Sequence, residues 1–270
     1  MALLSPASLH PLKPRQETAA ETLREQERVW KTKPSLRVIY ASYFRAVFDH
    51  CLPGKTLEVG AGSGGLKNCG YEVISTDLVR MPAVDVVSDA QSLPFANDSF
   101  DNIVAIDVFH HLERPIRFLK EARRVLRPNS RLVMLEPGIT PVSRWFYHRF
   151  HSEPVVMDTD LLADGPVDRT RDPFTANQAF ATLLVTRFRK KLQTIVPGMN
   201  IRSYRWLGSL AYPLSGGFQD WCLVPQVFTR PVLALESAID STLGRWLGFR
   251  ILVVLECDSS KSLSASCEKL

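Results

Sequence analysis

Apolar residues recur along the chain in two different periods. Runs of four to six residues, TLEV at 56–59, EVIST at 72–76, VDVVSD at 84–89, NIVAI at 102–106 and RLVML at 131–135, stop at glycines, acids or turn formers. Such runs are too short for helices and are predicted as strands buried on both faces. Elsewhere the spacing changes to three and four. Leu36, Ile39, Tyr40, Tyr43, Phe44, Val47 and Phe48 share one face of a helix begun at Pro34 and Ser35, and Ile116, Leu119, Ala122 and Leu126 share one over 115–126. NIRSYRWL at 200–207 and RILVVL at 250–255 add a sixth and a seventh strand. Strands and helices in alternation with short connections predict an α/β fold: a Rossmann-like, doubly wound, mostly parallel seven-stranded sheet with helices on both faces.

Other stretches fill in the plan. Residues 16–30, charged and alanine-containing, predict a mostly exposed helix. ANQAFATLLVTRFRKKL at 176–192 predicts one helix with Phe180, Leu183, Leu184 and Phe188 on its core face and the basic RFRKK at its end, where the helix dipole favours positive charge. Over 231–247, Leu235, Ile239, Leu243, Trp246 and Leu247 repeat at helical spacing, which predicts a core-facing stripe and not a membrane surface. Residues 154–173 are acidic, punctuated by proline and glycine and without a period, as lids often are; YPLSGGFQDW at 212–221 predicts a flexible loop. The expected organisation is an N-terminal helical extension at 1–50 with a mobile start, a main domain at 51–257 with insertions near 138–175 and 207–230, and a disordered tail at 258–270.

The candidate chemistry centres on the loop after the first strand. VGAGSGG leaves backbone N–H groups bare, so that a ligand can approach the main chain with no Cβ in the way. Gly60, Gly62 and Gly65 satisfy the GxGxxG of dinucleotide sites; Gly60, Gly62 and Gly64, with Glu58 upstream, satisfy the ExGxGxG of S-adenosylmethionine (SAM) sites. Two further features separate the alternatives. Asp77 closes the second strand, where a carboxylate can accept both hydroxyls of a ribose. Only 66–69 remain for a helix behind the loop, whereas a pyrophosphate needs a full helix N-terminus. The carboxyl ends of the strands bring Gly60 to Gly65, Asp77, Asp89, Asp107 to His111 and Glu136 to one crevice.

With these residues in order, the stretch 56–137 resembles class I SAM-dependent methyltransferases, in particular the group that includes ubiquinone and menaquinone biosynthesis methyltransferases. The pieces that match are LEVGAGSGG, Asp77, DAQSLPF with SFDNIV, and HHL with LKEARRVLRPNSRLVMLEP. The resemblance implies that Glu58 and the backbone of Gly60, Ala61, Gly62, Ser63 and Gly64 hold the methionine part and ribose of SAM. It implies that Asp77 bonds the ribose, that Asp89 with the Ala90 N–H reads the adenine edge, and that Leu78 lies on the adenine ring. Asp107 departs from the family pattern: its carboxylate either binds the methionine ammonium or caps the following turn. The family match fades after 138, so the acceptor-binding half is read from its own residues. His148 and His151, three apart, are the candidate general bases for a hydroxyl or amine, beside aromatic residues that suit an apolar or aromatic small molecule; His110 and His111 are similar candidates beside the cofactor, where the resemblance also allows the pair only to shape the pocket.

Composition narrows the function further. The chain has 270 residues, 45% hydrophobic and 23% charged, and a formal net charge of +5 that is spread along its length, so no nucleic-acid partner is expected. Its five cysteines have no metal-type spacing, and no metal is expected. The N-terminus lacks a signal-peptide pattern and no stretch has the length of a membrane span, which makes a cytoplasmic protein the expectation. The sequence leaves the oligomeric state open. The expected activity is SAM-dependent methylation of a small apolar or aromatic acceptor, on oxygen first, with nitrogen or carbon as further options. The competing classes are an NAD-linked oxidoreductase and a non-catalytic interaction module of the same fold.

Overall fold

The computed structural model describes residues 15–168 and 170–259. The expected mobile start and residues 260–270 of the expected disordered tail lie outside the described residues. Asp258, within that expected tail, is ordered by its backbone bond to Gly198.

Two helices, α1 (Arg15–Thr32) and α2 (Pro34–Phe48), precede the sheet. Then follow β1 (Thr56–Val59), the one-turn α3 (Gly65–Asn68), β2 (Ile74–Asp77), β3 (Val86–Val87) and β4 (Phe100–Ile106). A 3-10 turn at Phe109–His111 leads to α4 (Pro115–Val125), β5 (Leu126–Pro137) and α5 (Pro141–Phe150). The last third holds α6 (Phe180–Val185), α7 (Arg189–Ile195), β6 (Met199–Leu207), α8 (Ala211–Ser215), α9 (Gln226–Leu247) and β7 (Arg250–Cys257). The strands form one sheet in the order β3-β2-β1-β4-β5-β7-β6. Pairing is parallel from β3 to β5, and β7 runs antiparallel to both β5 and β6.

The central strands are apolar throughout because both faces are covered. Leu57, Ile103, Ala105, Leu132, Met134, Ile251 and Val253 point into the layer that holds α4 and α6. The intervening Val104, Val133, Leu135, Leu252 and Val254 pack on α2 through Leu36, Ile39, Tyr43 and Val47. The face predicted for α2 is thus the face that it buries.

Four expectations change. The helix predicted over 176–192 is two helices, broken at residues 186–188 where the Phe188 N–H turns back to the Leu183 carbonyl. The basic cluster therefore opens α7 instead of closing a longer helix, and the dipole argument for it fails. Residues 16–30 are not a mostly exposed helix: Ala19, Leu23, Val29 and Trp30 are buried, and Ala19 and Leu23 pack on Ala61 and Val79 beside the glycine loop. The loop at 216–221 is pinned, since Lys33 Nζ donates to the carbonyls of Gly217, Gln219 and Trp221 at 2.8, 2.7 and 2.8 Å. Finally, Leu235, Leu243 and Trp246 of α9 face outward. Its buried positions are Thr229, Glu236 and Gly244.

Candidate active site

A cavity of about 910 Å³ opens at the carboxyl ends of β1, β2, β4 and β5, beside the start of β7. This is the position where sheets of this winding bind ligands. One end of it is built by the glycine loop. Gly60, Gly62 and Gly64 all take left-handed backbone angles (φ 70°, 51° and 82°), and a Cβ on Gly60 would fall 2.2 Å from Val108 Cγ2. Only glycine fits there, because Val108 fills the space that a side chain would take. Asp77 Oδ2 accepts from the Gly62 N–H and Oδ1 from the Val79 N–H, both at 2.8 Å. Burial pushes the Asp77 carboxyl up, and these backbone donors only partly oppose it. Asp89 is oriented by the Gln91 N–H at 2.8 Å. Leu23 and Gln26 of α1 close this end from above, doing the covering that the stunted α3 cannot.

Of the predicted cofactor residues, Gly60, Gly62, Asp77, Leu78, Asp89, Ala90 and Asp107 line the cavity, and Glu58, Ala61, Ser63 and Gly64 lie behind them. Glu58 is buried, accepts from the Ser75 hydroxyl at 2.5 Å, and is pushed up to about 7 by that burial. Asp107 does not cap the turn that follows it. The N–H groups of Val108, Phe109 and His110 go instead to Glu136, at 2.9, 2.8 and 3.3 Å. Asp107 adopts φ 59°, accepts from the Tyr40 hydroxyl at 2.9 Å and pairs with Arg250 Nη2 at 2.5 Å. Arg250 is 2% exposed, its guanidinium lies over Tyr212 and Tyr43, and its Nε has no hydrogen-bond partner.

The other end of the cavity centres on a buried pair. Glu136, fully buried at the end of β5, holds His110 Nδ1 at 2.6 Å. With the Nδ1 proton donated to Glu136, the Nε2 lone pair is free on the side of Glu153, whose carboxylate lies 3.7 Å away. Burial resists charge on His110, but Glu136 outweighs it and the pKa is raised. The neighbouring His111, its ring 4.1 Å away, is driven down to about 2 by burial and by His110, so it stays neutral. Gln178 donates its side-chain amide to Glu153. His110, His111 and Glu153 each bring one ligand atom to within 4.8 Å of the others.

The predicted histidine pair separates. α5, started by the reciprocal Thr140 and Ser143 cap, ends at Phe150, and His151 follows in extended backbone. The two residues therefore do not share a helix face: His151 lines the rim of the cavity and His148 is exposed outside it. Lost solvation on the inner side of His151 lowers its pKa against the pull of Glu153. Glu136 and the HH pair were visible at strand ends in the sequence. Nothing local marks Glu153 or Gln178 as neighbours of that pair, or Arg250 as the partner of Asp107.

The glycine-loop part of the chain is similar in sequence to methyltransferases, and the chain as a whole is similar to one in fold. A methyltransferase domain family model matches residues 57–134, which include the glycine loop. The ubiquinone/menaquinone biosynthesis C-methyltransferase UbiE of Paracoccus denitrificans is 45% identical over 81 residues, which cover 29% of this chain and 32% of that protein. The probable tRNA methyltransferase 9B of Mus musculus is 38% identical over 88 residues, 31% of this chain and 20% of that protein. The matched stretch thus spans a third or less of these two curated relatives. The crystal structure of a SAM-dependent methyltransferase of Thermotoga maritima, described as a possible histamine N-methyltransferase, superposes with a TM-score of 0.54 over 91% of this chain and 100% of that one, at 16% identity. This last likeness is one of fold. Among the described residues no helix is long and apolar enough to cross a membrane.

Proposed function

We propose that the protein binds SAM at the glycine loop and transfers its methyl group to a small acceptor held between His110, Glu153 and Phe146. The observation that carries this reading is that one cavity joins the glycine-loop backbone and the carboxylates of Asp77 and Asp89 to a buried Glu136–His110 pair. When bound, SAM supplies an electrophilic methyl on a sulfonium, which departs as a neutral thioether. Gly60 and Gly62 admit it to the main chain, Asp77 takes the ribose hydroxyls, and Asp89 with Ala90 faces the adenine. His110 Nε2 takes the proton of the acceptor O–H or N–H as the acceptor lone pair forms the new bond to carbon, and Glu136 stabilises the resulting imidazolium. Most of the rate comes from in-line positioning in a closed cavity. This role replaces the one expected of His148, which faces away. Oxygen remains the first accepting atom. An acidic carbon, as in the C-methylation that UbiE's name describes, uses the same base.

Calorimetry with S-adenosylhomocysteine tests the donor end: a folded sample that binds none of it refutes the proposal, and Asp77→Ala weakens the binding. Transfer of label from tritiated SAM into small-molecule and RNA fractions of an extract tests the acceptor class, and label confined to RNA refutes a small acceptor. His110→Ala is expected to lower kcat by roughly 10²–10⁴-fold with S-adenosylhomocysteine affinity kept. Full activity in chelator assigns the His110, His111 and Glu153 cluster to proton transfer, and its loss assigns the cluster to a cation.

A further inference from the structure

The outward face of α9 is unusually apolar for a surface helix. Its inner side sets Val232 and Leu233 half-buried on the α2 core and otherwise turns polar or small residues inward. Glu236 accepts from the Leu210 and Ala211 N–H groups at 2.7 and 2.6 Å, Asp240 accepts from the Gly208 N–H at 2.8 Å and from Ser209, and Gly244 lets the Trp206 carbonyl approach where a Cβ would lie 2.7 Å from it. Its outer side carries Val227 (77% exposed), Phe228, Leu235, Leu243 and Trp246, and Leu223 just before the helix is 71% exposed. Helices of globular proteins put the apolar side inward. An apolar outer side of this length marks a contact surface.

The neighbouring helix buries Tyr147 and packs Phe146 on the core, and it adds exposed aromatics of its own. α5 packs beside α9 and leaves Trp145 and Phe150 more than half exposed. The charges that accompany these side chains have one sign. Both acids of α9, Glu236 and Asp240, are used inward, and α5 has none; the exposed formal charges of the two helices are Arg144, Arg149, Arg230 and Arg245. Arg245 lies over the Trp246 ring and Arg149 over the Phe150 ring, so the cations border the apolar groups.

We propose that this face seats the protein on the surface of an anionic lipid bilayer. Aromatic and leucine side chains entering the headgroup region, with arginines at the level of the lipid phosphates, are what a surface-bound amphipathic element uses. The same charges argue against a second copy of the chain, because pairing this face with itself sets arginine against arginine. The seat also has a place relative to the cavity. Phe150 and Trp221, both exposed, line it as well, so the bilayer lies at its mouth.

The test is co-sedimentation of the full chain with vesicles of phosphatidylcholine containing phosphatidylglycerol, against vesicles of phosphatidylcholine alone. The expected result is binding to the anionic vesicles that weakens with added salt. The exposed triple variant Leu235→Ser, Leu243→Ser, Trp246→Ser is expected to fold normally by circular dichroism and to bind more than tenfold more weakly. Arg144→Gln, Arg149→Gln, Arg230→Gln and Arg245→Gln are each expected to cost about fivefold. Wild-type protein that stays in the supernatant at low salt overturns the proposal, as does a serine variant that sediments like wild type. Sedimentation velocity supplies the remaining arm: a wild-type dimer that the serine variant converts to monomer assigns the face to a second copy and overturns the bilayer.

Discussion

Glu58→Gln isolates one buried carboxyl and turns its environment into a measurable slope. Burial holds the Glu58 pKa at about 7, against an ordinary value of 4.5, and the Ser75 hydroxyl bond opposes only part of that rise. Between those two values the folded protein keeps a proton that the unfolded chain has released, so stability falls as pH rises through the window and levels off above it. Because each tenfold in proton affinity is 1.36 kcal/mol, the full effect is about 3 kcal/mol above pH 7. Glutamine offers the same carbonyl to Ser75 and does not titrate. The variant should therefore match wild type near pH 4.5 and exceed it by up to about 3 kcal/mol near pH 8. Urea unfolding followed by tryptophan fluorescence across that range measures both proteins. Asp77, Glu236 and Asp240, whose pKa values burial also raises, are present in both and cancel in the difference. A difference that does not change with pH would refute the reasoning and show that Glu58 is ionised in the native protein at no cost.

Two other substitutions probe the walls of the cavity. Lys33→Met removes the donor shared by three carbonyls of the 217–221 loop and should cost roughly 2 kcal/mol in thermal unfolding; it should also speed hydrogen exchange in that loop, and unchanged exchange there would show that Lys33 does not hold it. Gly60→Ala forces a side chain into left-handed backbone and against Val108, so it should weaken S-adenosylhomocysteine binding as well as stability. Gly70→Ala, with φ 83° and no atom within 4 Å of its Cβ position, carries the backbone cost alone and is the control; equal losses of binding in the two would remove the contact argument.

The gathering of the glycine loop, Asp77 and Asp89 at one end of the cavity was legible in the sequence because each of these parts is local. A strand must stop where glycines let the chain turn, and an acid that closes the next strand lands beside that turn whatever the rest of the chain does. The other end is assembled from His110, Glu136, Glu153, Gln178 and Arg250, which come together only when the sheet and the 3-10 turn are in place. The hydrophobic period was informative about helix faces and silent about their direction. In α2 the apolar stripe is the buried one. In α9 Leu235, Leu243 and Trp246 of the same period point to solvent, while Glu236 and Asp240 turn inward and accept from the backbone of residues 208–211. Buried N–H groups need acceptors, and a carboxylate that meets two of them holds its helix face inward.

The antiparallel direction of β7 explains why a buried guanidinium stands at the crevice. In a fully parallel sheet the last residue of each strand faces the ligand crevice, and the first faces away. β7 runs the other way, with Arg250 opposite Pro137 of β5 and Leu207 of β6, so its first residue enters the crevice. A buried guanidinium there needs a counter-charge, and Asp107 supplies it from the end of β4 by taking a left-handed backbone that aspartate tolerates better than most residues. That ion pair stands where the two ends of the cavity meet. It leaves Glu136, and not Asp107, to satisfy the N–H groups of the 3-10 turn, and so sets Glu136 against His110. The orientation of a single strand thereby fixes which carboxylate holds the arginine and which one holds the histidine.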